Sequence, residues 1–326
     1  MQQLQQLQHL WPLSRQSKAA SPEARCTFQS PQPSGLFKLS NSHIIAFEEY
    51  GDPSGEPWLY FHEGGNSRLE CAFFHSAAKA RGLRLLAIDR PGIGGSSFYR
   101  TDSASAFARD ALELSDRLQI NQFSVLSHGS GGVFSLALAH LAPQRVTQQV
   151  NLGGLPGSVL GPDNLARRKP TWWDGITPPL IKALVQLRVN FSCQPLPEFI
   201  KPLLQPLSRA DSRLLNKPRV RQTLELDRRE AVRQGAKGIA QDIAMGFRKL
   251  EFSLAAVEVP LVIWQGRSDG PSAASATSAT SYLIGRLPAA RCHELPFRGY
   301  YFFLQDIDAV FARLSKPSAF SGRLAA

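Results

Sequence analysis

The stretch VLSHGSGG, Val125 to Gly132, decides how this chain is read. Its first residues close a short apolar run, FSVLS, that reads as a buried strand. The residues after it, GVFSLALAHLAP, have the spacing of a helix, and Pro143 stops it. Between the two lies a crowd of small residues: Ser127, Gly129, Ser130, Gly131 and Gly132. A strand that turns this abruptly into a helix holds one residue out at the apex. What that residue is decides what the turn can do.

The same alternation runs outward on both sides. HIIAFEEYG, PWLYFHE and LRLLAID read as strands. LECAFFHSAAKARG reads as a helix closed by Gly82, and ASAFARDALELSDRLQ reads as an amphipathic helix. VTQQVNLGG is a strand. After Gly157 the rhythm breaks, and residues to about Ser253 read as helical and rich in proline, in the manner of an inserted cap. PLVIWQG and RCHELPF resume the sheet, and FFLQDIDAVFARLS is a final helix. Strands and helices alternating at this spacing predict a mostly parallel sheet covered on both faces, the α/β class. The expected organisation is a tail over 1–34, a core over 35–156 and 254–318, a helical cap over 157–253 and a tail over 319–326.

Composition excludes several classes. The chain has 326 residues, an apolar fraction of 43% and a net charge of +11. No apolar run is long enough for a membrane span. Cys26, Cys71, Cys193 and Cys292 are scattered, which fits reduced thiols in a cytoplasm better than a disulfide framework or a metal site. Seventeen Lys/Arg against nine Asp/Glu fall between Gly161 and Glu251. That surplus suits a solvated surface or a small, anionic ligand. No nucleic-acid module is present in the pattern, and the oligomeric state is not legible. The first 34 residues contain a single acid, Glu23, and lack the apolar core of a signal peptide. They read as a tail of low order, with an organelle-targeting role left open.

Six separated motifs, in order, carry a resemblance. They are FHEGGNSR (Phe61 to Arg68), DRPGIGGSS (Asp89 to Ser97), VLSHGSGG, RQGAKGIAQD (Arg233 to Asp242), WQGRSDG (Trp264 to Gly270) and LPFRGYYFFL (Leu295 to Leu304). Together they resemble the α/β-hydrolase superfamily from about His43 to Leu314. The resemblance implies a mostly parallel sheet with flanking helices, a helical cap and a nucleophile elbow at VLSHGSGG. It also implies an oxyanion loop at FHEGG, an acid at Asp269 and a base in the loop around Tyr300.

Tested against that chemistry, the motifs depart from the pattern. The elbow needs small-x-nucleophile-x-small. With Ser127 and Gly131 in the small positions, the nucleophile position is Gly129, which has no side chain. A shift by one makes Ser130 the nucleophile and puts the bulky His128 in a small position. Both registers stay open on the sequence. Where the family's histidine would follow Gly299, the chain has Tyr300, a poor base while protonated. Glu63 follows His62 where the family has glycine. The N–H of Gly64 and that of Ser130 remain available as an oxyanion hole.

The candidate catalytic residues are therefore Asp269, Tyr300, Glu63, His128 and Ser130. His62, Gly64, Gly65 and Arg68 are the candidate substrate-binding residues. No phosphate loop, dinucleotide fingerprint or metal cluster occurs, so no cofactor is expected. Three readings follow in order: a non-hydrolytic enzyme (lyase, cyclase or isomerase type) acting on a small metabolite, a pseudoenzyme that binds a ligand or partner, and an atypical serine hydrolase using Ser130.

Overall fold

A computed structural model describes residues 33–101, 103–155, 208–245, 248–267, 280–287 and 289–314. Eight strands form one sheet: β1 (Gly35–Lys38), β2 (Ile44–Gly51), β3 (Glu56–Phe61), β4 (Leu83–Ile88), β5 (Phe123–His128), β6 (Val146–Leu152), β7 (Leu261–Arg267) and β8 (Ala290–Pro296). Their order across the sheet is β1-β2-β4-β3-β5-β6-β7-β8. The pairs β1–β2 and β2–β4 are antiparallel, and every other pair is parallel.

The central strands read as unbroken apolar runs because both of their faces are covered. In β3 the period of two sends Trp58 and Tyr60 to one core and Leu59 and Phe61 to the other. Strand β4 divides the same way, with Leu85 and Ala87 on one side and Leu86 and Ile88 on the other. The core of Leu59 and Phe61 is closed by α2 (Ala104–Arg117) and α3 (Gly131–Leu141), through Phe107, Leu114, Phe134 and Leu138. The core of Trp58 and Tyr60 is closed by α1 (His75–Ala80) and α7 (Phe303–Ala312), through Ala77, Phe303, Ile307 and Val310. Truncating one of these buried aromatic rings, such as Phe74 or Phe107, costs about 3–5 kcal/mol by transfer and cavity terms.

One local expectation needs correction, and one strand was not anticipated. The segment expected as one helix from Leu69 to Gly82 is a 3-10 turn, Arg68–Phe74, followed by α1. Ser67 caps its start, and Arg68, Leu69, Glu70, Cys71 and Phe74 are all buried, leaving Ala72 as its one exposed residue, so the segment lacks the polar solvent face of a regular amphipathic helix. Strand β1 carried no apolar run and is found at the sheet edge, alternating half-buried and exposed.

The described part of the expected cap is three helices, α4 (Arg209–Leu215), α5 (Pro218–Ala231) and α6 (Ala236–Met245). Residues 157–207 and 246–247 of that segment and both expected tails, apart from 33–34, lie outside the described residues, as does Asp269. Buried ion pairs join the helices to the core. Arg68 bonds Asp89 at 2.7 Å and Glu230 of α5 at 2.6 Å. The Arg90 guanidinium takes Asp242 of α6 with two nitrogens. Ser67 donates its amide and hydroxyl to Asp227 of α5 at 2.8 and 2.7 Å. No helix among the described residues is long and apolar enough to cross a membrane.

Candidate functional site

The backbone separates the two registers of the elbow. Gly129 sits at the apex with φ +45°, a conformation that L side chains rarely adopt. Ser130 has φ −64° and ψ −19° and already stands at the N-terminus of α3. The turn is locked from below: Gly129 N–H donates to Leu152 O at 2.8 Å, and Asn151 Nδ2 donates to Gly129 O at 3.1 Å. Gly131 is required as well, since a Cβ there would collide with the carbonyl of Phe61. The apex of the turn is therefore residue 129, with Ser130 one step into the helix.

The volume above the apex is filled. A Cβ built on Gly129 would overlap Glu63 Oε2 and the hydroxyl of Tyr300. Those two groups are hydrogen-bonded to each other, with the phenol donating. The other carboxylate oxygen, Oε1, accepts from Ser130 Oγ at 2.5 Å, Gly64 N at 2.6 Å and Ser130 N at 3.2 Å. The two amides that the sequence offered as an oxyanion hole thus hold the carboxylate of Glu63. The N-terminal end of an eleven-residue helix, α3, is a favourable place for that charge. Burial, reinforced by the charge of Glu63, pushes the Tyr300 phenol well above its ordinary range, so it is neutral and a donor.

Beneath this pair is a second, fully buried polar group that the sequence reading missed. Glu70 of the 3-10 turn accepts from His128 Nδ1 at 2.7 Å, Tyr60 Oη at 2.7 Å, Asn66 Nδ2 at 2.5 Å and Glu63 N at 2.9 Å. Burial alone would raise its carboxyl, but the His128 charge and these donors hold it down at about 2. Burial works to lower the His128 imidazole, and the adjacent carboxylates, Glu70 above all, raise it instead. The His128 ring packs on Tyr300 with centroids 4.8 Å apart. It therefore supports the tyrosine from below, and its Nδ1 faces Glu70.

The remaining candidates fall elsewhere. His62 is fully buried; its Nδ1 pairs with Glu63 O at 2.9 Å and its carbonyl accepts from Arg90 at 2.7 Å. Burial and the Arg90 charge lower it to about 3, so it is a neutral imidazole. Arg68, expected among the ligand-binding residues, has its guanidinium committed to Asp89 and Glu230 inside the protein. It anchors α5, and a buried guanidinium with two carboxylates is not open to a ligand. Gly64 lends its amide to Glu63 Oε1 and to Ser130 Oγ. Gly65 is partly exposed beside it with φ +82° and open space where a Cβ would point. Asp211 of α4, also missed, accepts from the amides of Tyr300 and Tyr301 at 3.0 and 2.8 Å.

Residues 57–296 match the family model described as alpha/beta hydrolase fold, and the chain belongs to that family. Among curated relatives it is 29% identical over 123 residues to a proline iminopeptidase of Neisseria gonorrhoeae, covering 36% of this chain and 39% of that protein. It is 31% identical over 136 residues to a poly(3-hydroxyalkanoate) depolymerase of Ectopseudomonas oleovorans, covering 40% and 47%. The chain thus spans less than half the length of these relatives.

Similar solved structures include a probable hydrolytic enzyme of Pseudomonas aeruginosa PAO1. Its TM-score is 0.69 at 17% identity, over 89% of this chain and 96% of that one. The enol-lactonase of Burkholderia xenovorans LB400 has a TM-score of 0.61 at 16% identity, over 85% and 97%. At such identities these likenesses speak for the fold alone.

Proposed function

We propose that this protein works without a covalent serine intermediate. It is a non-hydrolytic enzyme that moves a proton on a small metabolite, with Glu63 as the acid–base group and Tyr300 and Ser130 as its hydrogen-bonded partners. One observation carries the reading: the Glu63 carboxylate occupies both the volume of a side chain at residue 129 and the amide pair of Gly64 and Ser130. Acyl transfer through a nucleophile needs that volume for the attacking atom and those amides for the oxyanion. It also needs a base, and a neutral Tyr300 cannot accept the nucleophile's proton.

What the site offers instead is a carboxylate that can take and return a proton, a neutral phenol that holds it by a hydrogen bond, and Ser130, which ties the carboxylate to α3. Elimination, cyclisation and isomerisation require no more than this, provided the substrate is held against the carboxylate. The names of the relatives, an iminopeptidase and a depolymerase among them, keep serine hydrolysis as the contrasting outcome. A second reading, ligand binding without turnover, has its own support: the two Glu63 oxygens already meet donors from Gly64, Ser130 and Tyr300.

The test pairs a fluorophosphonate probe with nitrobenzisoxazole, whose ring opens on loss of a single C–H proton. The expected result is no adduct on Ser130, and ring opening that falls at least tenfold in Glu63→Gln. An adduct at Ser130 that vanishes in Ser130→Ala would return the protein to the serine hydrolases. Neither adduct nor ring opening, in folded protein, would leave the binding reading.

A further inference from the structure

We infer that Asp211 is the positioning residue of this site, the point where a cap helix sets the place of the Tyr300 hydroxyl. The inference rests on the reading of Glu63 and Tyr300 as the working pair. Asp211 lies in the first turn of α4 and is 3% exposed. Its two carboxylate oxygens are divided between consecutive amides: Oδ2 accepts from Tyr300 N at 3.0 Å and Oδ1 from Tyr301 N at 2.8 Å. A carboxylate that grips two successive N–H groups fixes the peptide plane between them, and with it the direction in which the Tyr300 side chain leaves the backbone.

The neighbouring residue has the matching shape. Gly299 is buried, and a Cβ built on it would overlap the carboxylate of Asp211. Only glycine lets the loop come this close. The helix is held in turn by Ser208, whose hydroxyl accepts from Asp211 N at 3.1 Å and donates to Asp211 Oδ2 at 2.8 Å. From there the chain of contacts is short: Asp211 to the Tyr300 amide, Tyr300 Oη to Glu63, and Glu63 to the amides of Gly64 and Ser130. A displacement of α4 therefore reaches the carboxylate through the tyrosine, and no other described contact is needed to carry it.

The experiment labels the full chain with carbon-13 at tyrosine Cζ and reads Tyr300, assigned by its loss in Tyr300→Phe. In Asp211→Asn, which leaves one acceptor for two amides, the Tyr300 resonance is expected to move toward that of a water-exposed phenol. Gly299→Ala, which pushes the carboxylate away from the other side, is expected to move it in the same direction. It decides the matter should Asp211→Asn fail to fold. Resonances that stay within the line width of wild type in both folded variants would overturn the assignment and make Asp211 a helix cap only. Movement of the resonance with nitrobenzisoxazole opening unchanged would uphold the positioning and overturn Tyr300 as the working partner of Glu63, so the two readings fail separately.

Discussion

The carboxylate of Glu63 stands where a side chain at Gly129 would stand. That carboxylate and a side chain at residue 129 exclude each other sterically, and the left-handed backbone of Gly129 adds a second reason for glycine there.

Gly129→Ala tests both reasons. The left-handed φ alone costs about 1–3 kcal/mol for a residue with a Cβ, and the overlap with Glu63 and Tyr300 adds to it. In Glu63→Ala the overlap with Glu63 falls away, while the overlap with Tyr300 and the backbone term stay. A double-mutant cycle read by urea denaturation is expected to show a Gly129→Ala penalty smaller by at least 1 kcal/mol in the Glu63→Ala background. Additive penalties would mean that the groups do not compete for this space.

Removing the Glu63 side chain leaves the amides of Gly64 and Ser130 and the Tyr300 hydroxyl around an empty anion site at the start of α3. Acetate carries the same headgroup. The melting temperature of Glu63→Ala is expected to rise with added acetate and not with equal chloride, by the mass action of a ligand that binds the folded state. Wild type, with its own carboxylate in place, is expected not to respond.

The buried pair of Glu70 and His128 gives a pH signature. Glu70 is held at about 2, below its ordinary 4.5, so its contribution is complete above about 4.5 and is lost as the pH falls toward 2. His128 is raised above 6.5, so its contribution is complete below about 6.5 and is lost as the pH rises through the folded value. The stability difference between wild type and His128→Gln is therefore expected to be greatest between about pH 4.5 and 6.5 and to shrink on either side. By proton NMR, the His128 ring should remain charged above pH 6.5, while the ring of His62 should remain neutral down to about 3.

Arg68→Met leaves Asp89 buried without its cation and Glu230 with only the more distant Arg233, at 3.5 Å. Breaking such an arrangement from one side costs about 3–5 kcal/mol. Replacing Arg68 and Glu230 together, by Met and Leu, should recover part of that loss, as measured by chemical denaturation.

The central sheet was legible because burial on both faces forces apolar runs, and those runs survive in the bare sequence. Edge strand β1, GLFK, left no such trace, because one of its sides meets solvent. At the site, Gly129, Glu63 and Tyr300 could be flagged as unusual residues at motif positions. Their convergence could not be seen, since Glu63 and Tyr300 are 237 positions apart. Glu70 had a signal that was passed over: an acid inside the otherwise apolar LECAFF, on a segment with no polar face to carry it to solvent. Asp211 had only Ser208 three residues before it, which reads as a helix start and no more. Its partner amides lie 89 and 90 positions onward, in a loop whose main-chain donors carry no mark in the side-chain sequence.

Three buried tethers, Arg68 to Glu230, Ser67 to Asp227 and Arg90 to Asp242, fasten α5 and α6 to the loops that follow β3 and β4. Their consequence is cooperativity. Lifting either helix exposes charges on both sides of the contact at once, so partial opening along these seams has almost the cost of unfolding the sheet behind them. Amide protons of α5 and α6 should then exchange with solvent at the pace of the central strands, as members of one folding unit.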